Sequence, residues 1–88
     1  MKKKISILGS TGSIGATTLN ILNKKKNIFK INLLSADKNL NLICKQIKIY
    51  KPNFFIINNF KVFQKVKTKI KKTKTQIILS NNFRYKSL

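Results

Sequence analysis

Gly9, Gly12 and Gly15 are the only glycines in the chain, and all fall within the stretch Gly-Ser-Thr-Gly-Ser-Ile-Gly. This spacing suits the binding of a phosphate. Placed between a strand and a helix, Gly9 permits the tight turn off the strand and Gly12 removes a side chain where a pyrophosphate must approach the backbone. Gly15 lets the helix pack closely on the strand. The helix then presents free N–H groups and a partial positive charge to the phosphates. Ser10, Thr11 and Ser13 can add hydroxyl donors, or Ser13 can simply cap the helix. A glycine-rich turn without a ligand is the plainer alternative. No Gly-Lys-Ser/Thr follows the last glycine, which argues against a P-loop, and a turn that opens a helix instead of joining two strands argues against a kinase loop.

The rest of the composition excludes several chemistries. Asp37 is the only acidic residue, Cys44 the only cysteine, and there is no histidine. Paired carboxylates, a Ser-His-Asp triad, a Cys-His dyad and a His/Cys zinc site therefore cannot be assembled from this chain. Its 88 residues suffice for one small domain. If the chain serves an enzyme, the catalytic groups are expected elsewhere. One cysteine allows no internal disulfide, which fits a reducing cytoplasm. The longest apolar runs, such as 54–57, have four residues, against the ~20 needed to span a bilayer. The apolar stretch after Met1-Lys-Lys-Lys is broken by Ser6 and ends at Gly9, so neither secretion nor membrane insertion is expected.

A net charge of +19 would ordinarily point to a nucleic acid or an anionic membrane. The residue types argue otherwise. Lysine supplies 19 of the 20 cations, whereas readers of phosphates and bases favour the arginine fork. Lys, Ile and Asn make up half the chain, and all three have A/T-rich codons. Compositional drift in an AT-rich genome accounts for the charge without selection for a polyanion.

The elements that must position the glycine turn can be read from periodicity. Residues 4–8 form a short apolar run that reads as a buried strand. From Ile14 to about Lys26, Ile14, Thr18, Ile21 and Leu22 follow the spacing of an amphipathic helix, with Lys24, Lys25 and Lys26 in its last turn. Residues 30–35 read as a second strand, followed by the turn Ala36-Asp37-Lys38. A second helix starts near Asn39, carries Leu40, Ile43, Cys44 and Ile47 on one face, and ends before Pro52. Residues 53–58 read as a third strand; Phe60, Phe63, Val66 and Ile70 mark a third helix; and residues 75–79 form a fourth strand.

The order β-α-β-α-β-α-β with short connections predicts an α/β fold, the N-terminal half of a Rossmann-like doubly wound parallel sheet with helices on both faces and strand order 3-2-1-4. The fourth strand would then be interior and need a fifth as neighbour. Asp37 and Lys38 fall at the tip of the second strand, where the adenosine ribose of a dinucleotide sits. An acidic residue there holds the ribose 2′-hydroxyl of NAD, and a cation favours the 2′-phosphate of NADP. The pair leaves both cofactors open with a lean to NADP; a turn aspartate and a solvated lysine are the alternative roles.

At these residues the chain resembles the 1-deoxy-D-xylulose 5-phosphate reductoisomerase family. The resemblance rests on Ile-Leu-Gly-Ser-Thr-Gly-Ser-Ile-Gly at 7–15, Thr18-Leu19, Ala36, Lys38, Asn39, Gln46 and Pro52. It implies that Thr11, Gly12, Ser13 and Ile14 contact NADPH, with Lys38 and Asn39 near its 2′-phosphate end. The chain departs from the family at Asp37, where a glycine is common, and a carboxylate there would repel a phosphate. Residues 1–88 would be part of an NADPH-binding Rossmann domain, with the catalytic and C-terminal domains outside it. The family's metal-binding carboxylates, substrate-phosphate site and catalytic loop are expected beyond Leu88, so no catalytic or metal-ligating residue is assigned here.

For the complete protein the resemblance implies a cytoplasmic homodimer in the methylerythritol phosphate route to isoprene units. With magnesium or manganese it would convert 1-deoxy-D-xylulose 5-phosphate to 2-C-methyl-D-erythritol 4-phosphate, using NADPH as hydride donor. The alternatives are a fragment of another Rossmann dehydrogenase or epimerase and a small basic nucleic-acid-binding module. Lysines spread over all the helices, without an aromatic-basic face, disfavour the module.

Overall fold

The computed structural model describes residues 2–82. Four strands, β1 (Lys3–Leu8), β2 (Phe29–Ala36), β3 (Phe54–Ile57) and β4 (Gln76–Leu79), alternate with three helices, α1 (Ser13–Asn23), α2 (Leu40–Tyr50) and α3 (Phe60–Lys69). A short 3₁₀ turn, Ser80–Asn82, follows β4. All three strand pairs are parallel, as the alternation of strand and helix requires.

The strand order is β1-β2-β3-β4, which corrects the expected 3-2-1-4. The reason lies in the last crossover. Six residues, 70–75, separate α3 from β4, and their end is tied to the start of β3. The Thr75 hydroxyl donates to the Pro52 carbonyl at 2.6 Å, and the Gln76 N–H donates to the Asn53 carbonyl at 2.9 Å. β4 therefore pairs with the free edge of β3. A place on the far side of β1 would put β4 three strand spacings, about 14 Å, from β3, where neither bond could form.

This order also corrects the expectation of helices on both faces. Right-handed crossovers taken repeatedly in one direction put every helix on the same side of the sheet. One core cluster accordingly joins Leu19 of α1, Ile43 and Ile47 of α2 and Val66 of α3 to Ile7, Leu34, Phe55 and Ile57 of the sheet. Leu33 and Ile56 are fully buried too, but they alternate onto the opposite face and lie outside that cluster. Among the described residues β4 is an edge strand, not an interior one.

β2 contains an irregularity that periodicity alone would miss. Ile5 pairs with Ile31 and Ser6 with Leu33, so Asn32 is an extra residue in the ladder. A bulge of this kind shifts the alternation by one. Ile31 and Leu34, three residues apart, consequently reach the same core. The Asn32 side chain stays satisfied by accepting from the Asn53 amide at 2.7 Å.

The helix faces agree with the sequence in α2 and less well elsewhere. Ile43 and Ile47 are buried, and Leu40 and Cys44 pack beside them. α2 ends at the left-handed Lys51 (φ 48°), immediately before Pro52. In α1 the buried positions are Gly15 and Leu19, with Leu22 partly covered; the expected Ile14 and Ile21 face outward. The stripe is rotated by one residue because Gly15 must meet the glycine turn. α1 stops at Asn23 with Lys24 as its C-cap, so Lys24 to Lys26 follow the helix instead of forming its last turn. In α3, Val66 is buried and Val62 and Phe63 support it, whereas Phe60 is exposed.

Candidate functional site

β1 and β2 are adjacent and parallel, and Leu8 pairs with Ser35. The turn after β1 and the turn after β2 therefore emerge side by side at the C-terminal edge of the sheet, the position where open α/β sheets bind ligands. Thr11, Gly12, Ser13 and Ile14 belong to the first turn and the start of α1. Asp37, Lys38 and Asn39 belong to the second. Gly12, Ser13, Ile14, Asp37, Lys38 and Asn39 are exposed and Thr11 is half-buried. Ile14, at 82% exposure, is an apolar side chain left open beside the turn.

The glycines divide the work of the turn. Gly9 has φ +73°, a conformation that side-chain-bearing residues rarely adopt. A Cβ on Gly15 would lie 2.3 Å from the Gly9 carbonyl oxygen and 2.9 Å from the Ser10 Cα, so α1 can approach only because residue 15 has no side chain. A Cβ on Gly12 would meet only the Gly9 oxygen, at an ordinary 3.5 Å. The fold itself leaves that space open. Gly12 is the N-cap of α1 and makes no side-chain cap, which corrects the alternative role for Ser13 as cap. The Ala16 N–H is taken by the Gly12 carbonyl at 2.9 Å, while the N–H groups of residues 13–15 precede any intrahelical acceptor. They form a cluster of donors at the positive end of the helix.

Ser10 does not contribute a donor to this surface, contrary to the expectation for its hydroxyl. It is wholly buried. Its hydroxyl donates to Gln46 Oε1 at 2.7 Å, and Gln46 Nε2 donates back to the Ser10 carbonyl at 2.8 Å. From β2, the Ser35 carbonyl accepts from the Ser10 N–H at 2.8 Å, and the Ser35 hydroxyl accepts from the Gly9 N–H at 3.2 Å. Nothing in the residue order marks Ser35 for a role, and Gln46 stands out there only as a mark of resemblance. A glutamine inside an otherwise apolar helical stripe was the available signal.

Asn39 has a local task as well. Its Oδ1 caps α2 by accepting from the Leu42 N–H at 3.2 Å, which leaves its amide nitrogen as a donor. Lys38 and Asp37 project from the same exposed turn. Among the described residues no group of three His, Cys, Asp or Glu side chains forms a metal site, and no helix is long and apolar enough to cross a membrane. A groove of about 660 Å³ lies at the opposite, N-terminal edge of the sheet. Its walls include Lys48, Lys51, Lys69 and Lys71. Cations at the ends of α2 and α3 complement the helix dipoles there, and the groove has no connection with the glycine turn.

A parallel sheet with a glycine turn opening its first helix defines a Rossmann-like α/β protein. Residues 5–84 match the family model described as 1-deoxy-D-xylulose 5-phosphate reductoisomerase, and the chain belongs to that family. The reductoisomerase of Buchnera aphidicola subsp. Schizaphis graminum is 40% identical over 81 residues, which cover 90% of this chain and 20% of that protein. The Porphyromonas gingivalis protein is 46% identical over 59 residues, covering 67% of this chain and 15% of that one. The chain thus spans about a fifth of the length of the curated relatives it matches.

Two solved structures share the fold. The reductoisomerase from Zymomonas mobilis in complex with NADPH aligns with a TM-score of 0.83 at 19% identity, over 90% of this chain and 21% of that one. A DOX-P reductoisomerase in complex with NADPH, fosmidomycin and magnesium aligns with a TM-score of 0.80 at 23% identity, over 88% of this chain and 19% of the other.

Proposed function

We propose that this chain is the NADPH-holding portion of a 1-deoxy-D-xylulose 5-phosphate reductoisomerase, an enzyme that converts that sugar phosphate to 2-C-methyl-D-erythritol 4-phosphate. The observation that carries this reading is the space at Gly12. It is a cradle that a Cβ could enter without hindrance from the chain, facing the unpaired N–H groups at the start of α1. A pyrophosphate fits that cradle. In this reading Thr11, Gly12, Ser13 and Ile14 hold the pyrophosphate side of the cofactor, and Ile14 gives an apolar surface to it. Lys38 supplies positive charge for the 2′-phosphate and the Asn39 amide a donor beside it.

NADPH would supply the hydride; the residues here bind and orient it. The family's divalent cation finds no ligand set in this chain, which has one carboxylate and no histidine, and no step through a metal is assigned to it. The complete protein is proposed to work on its sugar phosphate as a cytoplasmic homodimer.

The test is a fluorescence titration of the natural gene product with NADPH and with NADH, followed by NADPH oxidation in the presence of 1-deoxy-D-xylulose 5-phosphate and magnesium. Tight NADPH binding, weaker NADH binding and substrate-dependent oxidation are expected. Absence of binding to either cofactor overturns the reading. Salt-sensitive affinity for DNA or RNA in its place would favour a basic binding module.

A further inference from the structure

We propose that Gln46, on a different helix from the glycine turn, is a positioning residue for the cofactor and acts as a two-bond clamp on Ser10. The inference rests on the NADPH reading above and deepens it. Gln46 touches no exposed surface of the turn, since it is 3% exposed and Ser10 is 0% exposed. Its amide both accepts from the Ser10 hydroxyl and donates to the Ser10 carbonyl, so both rotation and translation of that residue are restrained.

Ser10 is where three elements converge on the turn. α2 grips it through Gln46. β2 grips it through the Ser35 carbonyl. α1 presses on it through Gly15, whose missing Cβ would stand 2.9 Å from the Ser10 Cα. Residues 11–15 hang from this point, and a pyrophosphate reads the directions of their N–H groups. A small displacement of Ser10 would turn those donors away from a shared focus, whereas the groups at residues 38 and 39 are held separately by the α2 cap at Asn39. The clamp therefore acts on the pyrophosphate half of the ligand and leaves the 2′-phosphate half alone. Loss of the Gln46 amide takes from the buried Ser10 hydroxyl its acceptor and from the Ser10 carbonyl a donor, a costly change for groups out of reach of water.

The test uses two ligands on the whole protein as the cell makes it. NADPH probes the entire site, and adenosine 2′-monophosphate probes only the end near Lys38. Gln46→Met preserves size and removes both bonds. It is expected to raise the Kd for NADPH roughly tenfold or more, while the Kd for adenosine 2′-monophosphate stays within about twofold. Ser10→Ala removes one of the two bonds and should weaken NADPH by a smaller factor. Adding it to Gln46→Met should cause little further loss, because the two side chains share one interaction.

Unchanged NADPH affinity in Gln46→Met overturns the clamp. Equal weakening of both ligands overturns it too, since that pattern reports general loosening of the fold. If Gln46→Met fails to fold, Ser10→Ala decides the matter with the same two ligands. A wild-type protein that binds no NADPH removes the underlying reading, an outcome distinct from a wild type that binds and a variant that binds equally well.

Discussion

At the scale of single residues, the three glycines have separate reasons to be glycine, and substitution separates them. Gly15 is required by the approach of α1 to the turn, because its Cβ would overlap backbone atoms that cannot swing aside. Gly15→Ala is expected to destabilise the protein by about 1–3 kcal/mol, read as a lowered thermal midpoint. Gly12 sits in extended backbone (φ −72°, ψ 165°) that a β-branched residue accepts. Gly12→Val should therefore cost about 1 kcal/mol or less of stability, yet abolish NADPH binding in a fluorescence titration, since in the proposed reading the side chain would occupy the pyrophosphate position. Retained binding would show that the phosphates lie elsewhere. Asp37 offers a third case. It is exposed, so its repulsion of a nearby phosphate is screened and modest. Asp37→Gly should tighten NADPH a few-fold at low ionic strength and less as salt is added. Weaker binding by that variant would make Asp37 a ligand.

At the scale of elements, capping explains where the helices begin, and it gives a paired prediction. Asn39 and Asn59 cap α2 and α3 by accepting from the N–H groups of Leu42 and Val62. Replacing either by alanine should cost about 1 kcal/mol in denaturant unfolding. Asn39→Ala should also weaken NADPH, because in the proposed reading its amide donates beside the 2′-phosphate; Asn59→Ala should leave the affinity unchanged. These starts were partly legible in the sequence, with α2 expected near Asn39 and bounded by Pro52. The face of α1 was not. Ile14 and Ile21 are as apolar as Leu19 and Leu22, and a periodic pattern with several apolar positions does not reveal which of them a glycine contact will turn inward. The bulge at Asn32 escaped for a similar reason: in a strand buried on both faces, each position accepts an apolar side chain and the alternation carries no phase.

At the scale of the whole molecule, 20 cations face one carboxylate and repel one another. Self-repulsion of this kind weakens the compact state. The Debye length falls from about 30 Å at 0.01 M salt to about 8 Å at 0.15 M, so the thermal midpoint of the chain should rise over that interval. A midpoint that falls would show that attractive surface electrostatics outweigh the repulsion. Chain direction acts at this scale too. The first crossover, from β1 through α1 to an adjacent and parallel β2, leaves the C-terminal edge of β1 next to that of β2, which brings the residue 11–14 and residue 38–39 turns to the same edge.

The sequence alone determined the succession of strands and helices, the glycine turn between the first strand and helix, and the family resemblance. These depend on local spacing, and local spacing is written directly in residue order. Tertiary structure decided the strand order, the placement of α1, α2 and α3 on one face, the phase of α1 and the burial of Ser10 against Gln46. Each of those depends on which distant segments meet. Residues 10 and 46 are 36 positions apart, and only the packing of α2 beside the glycine turn converts a buried glutamine from a polar interruption in an apolar stripe into a partner for that turn.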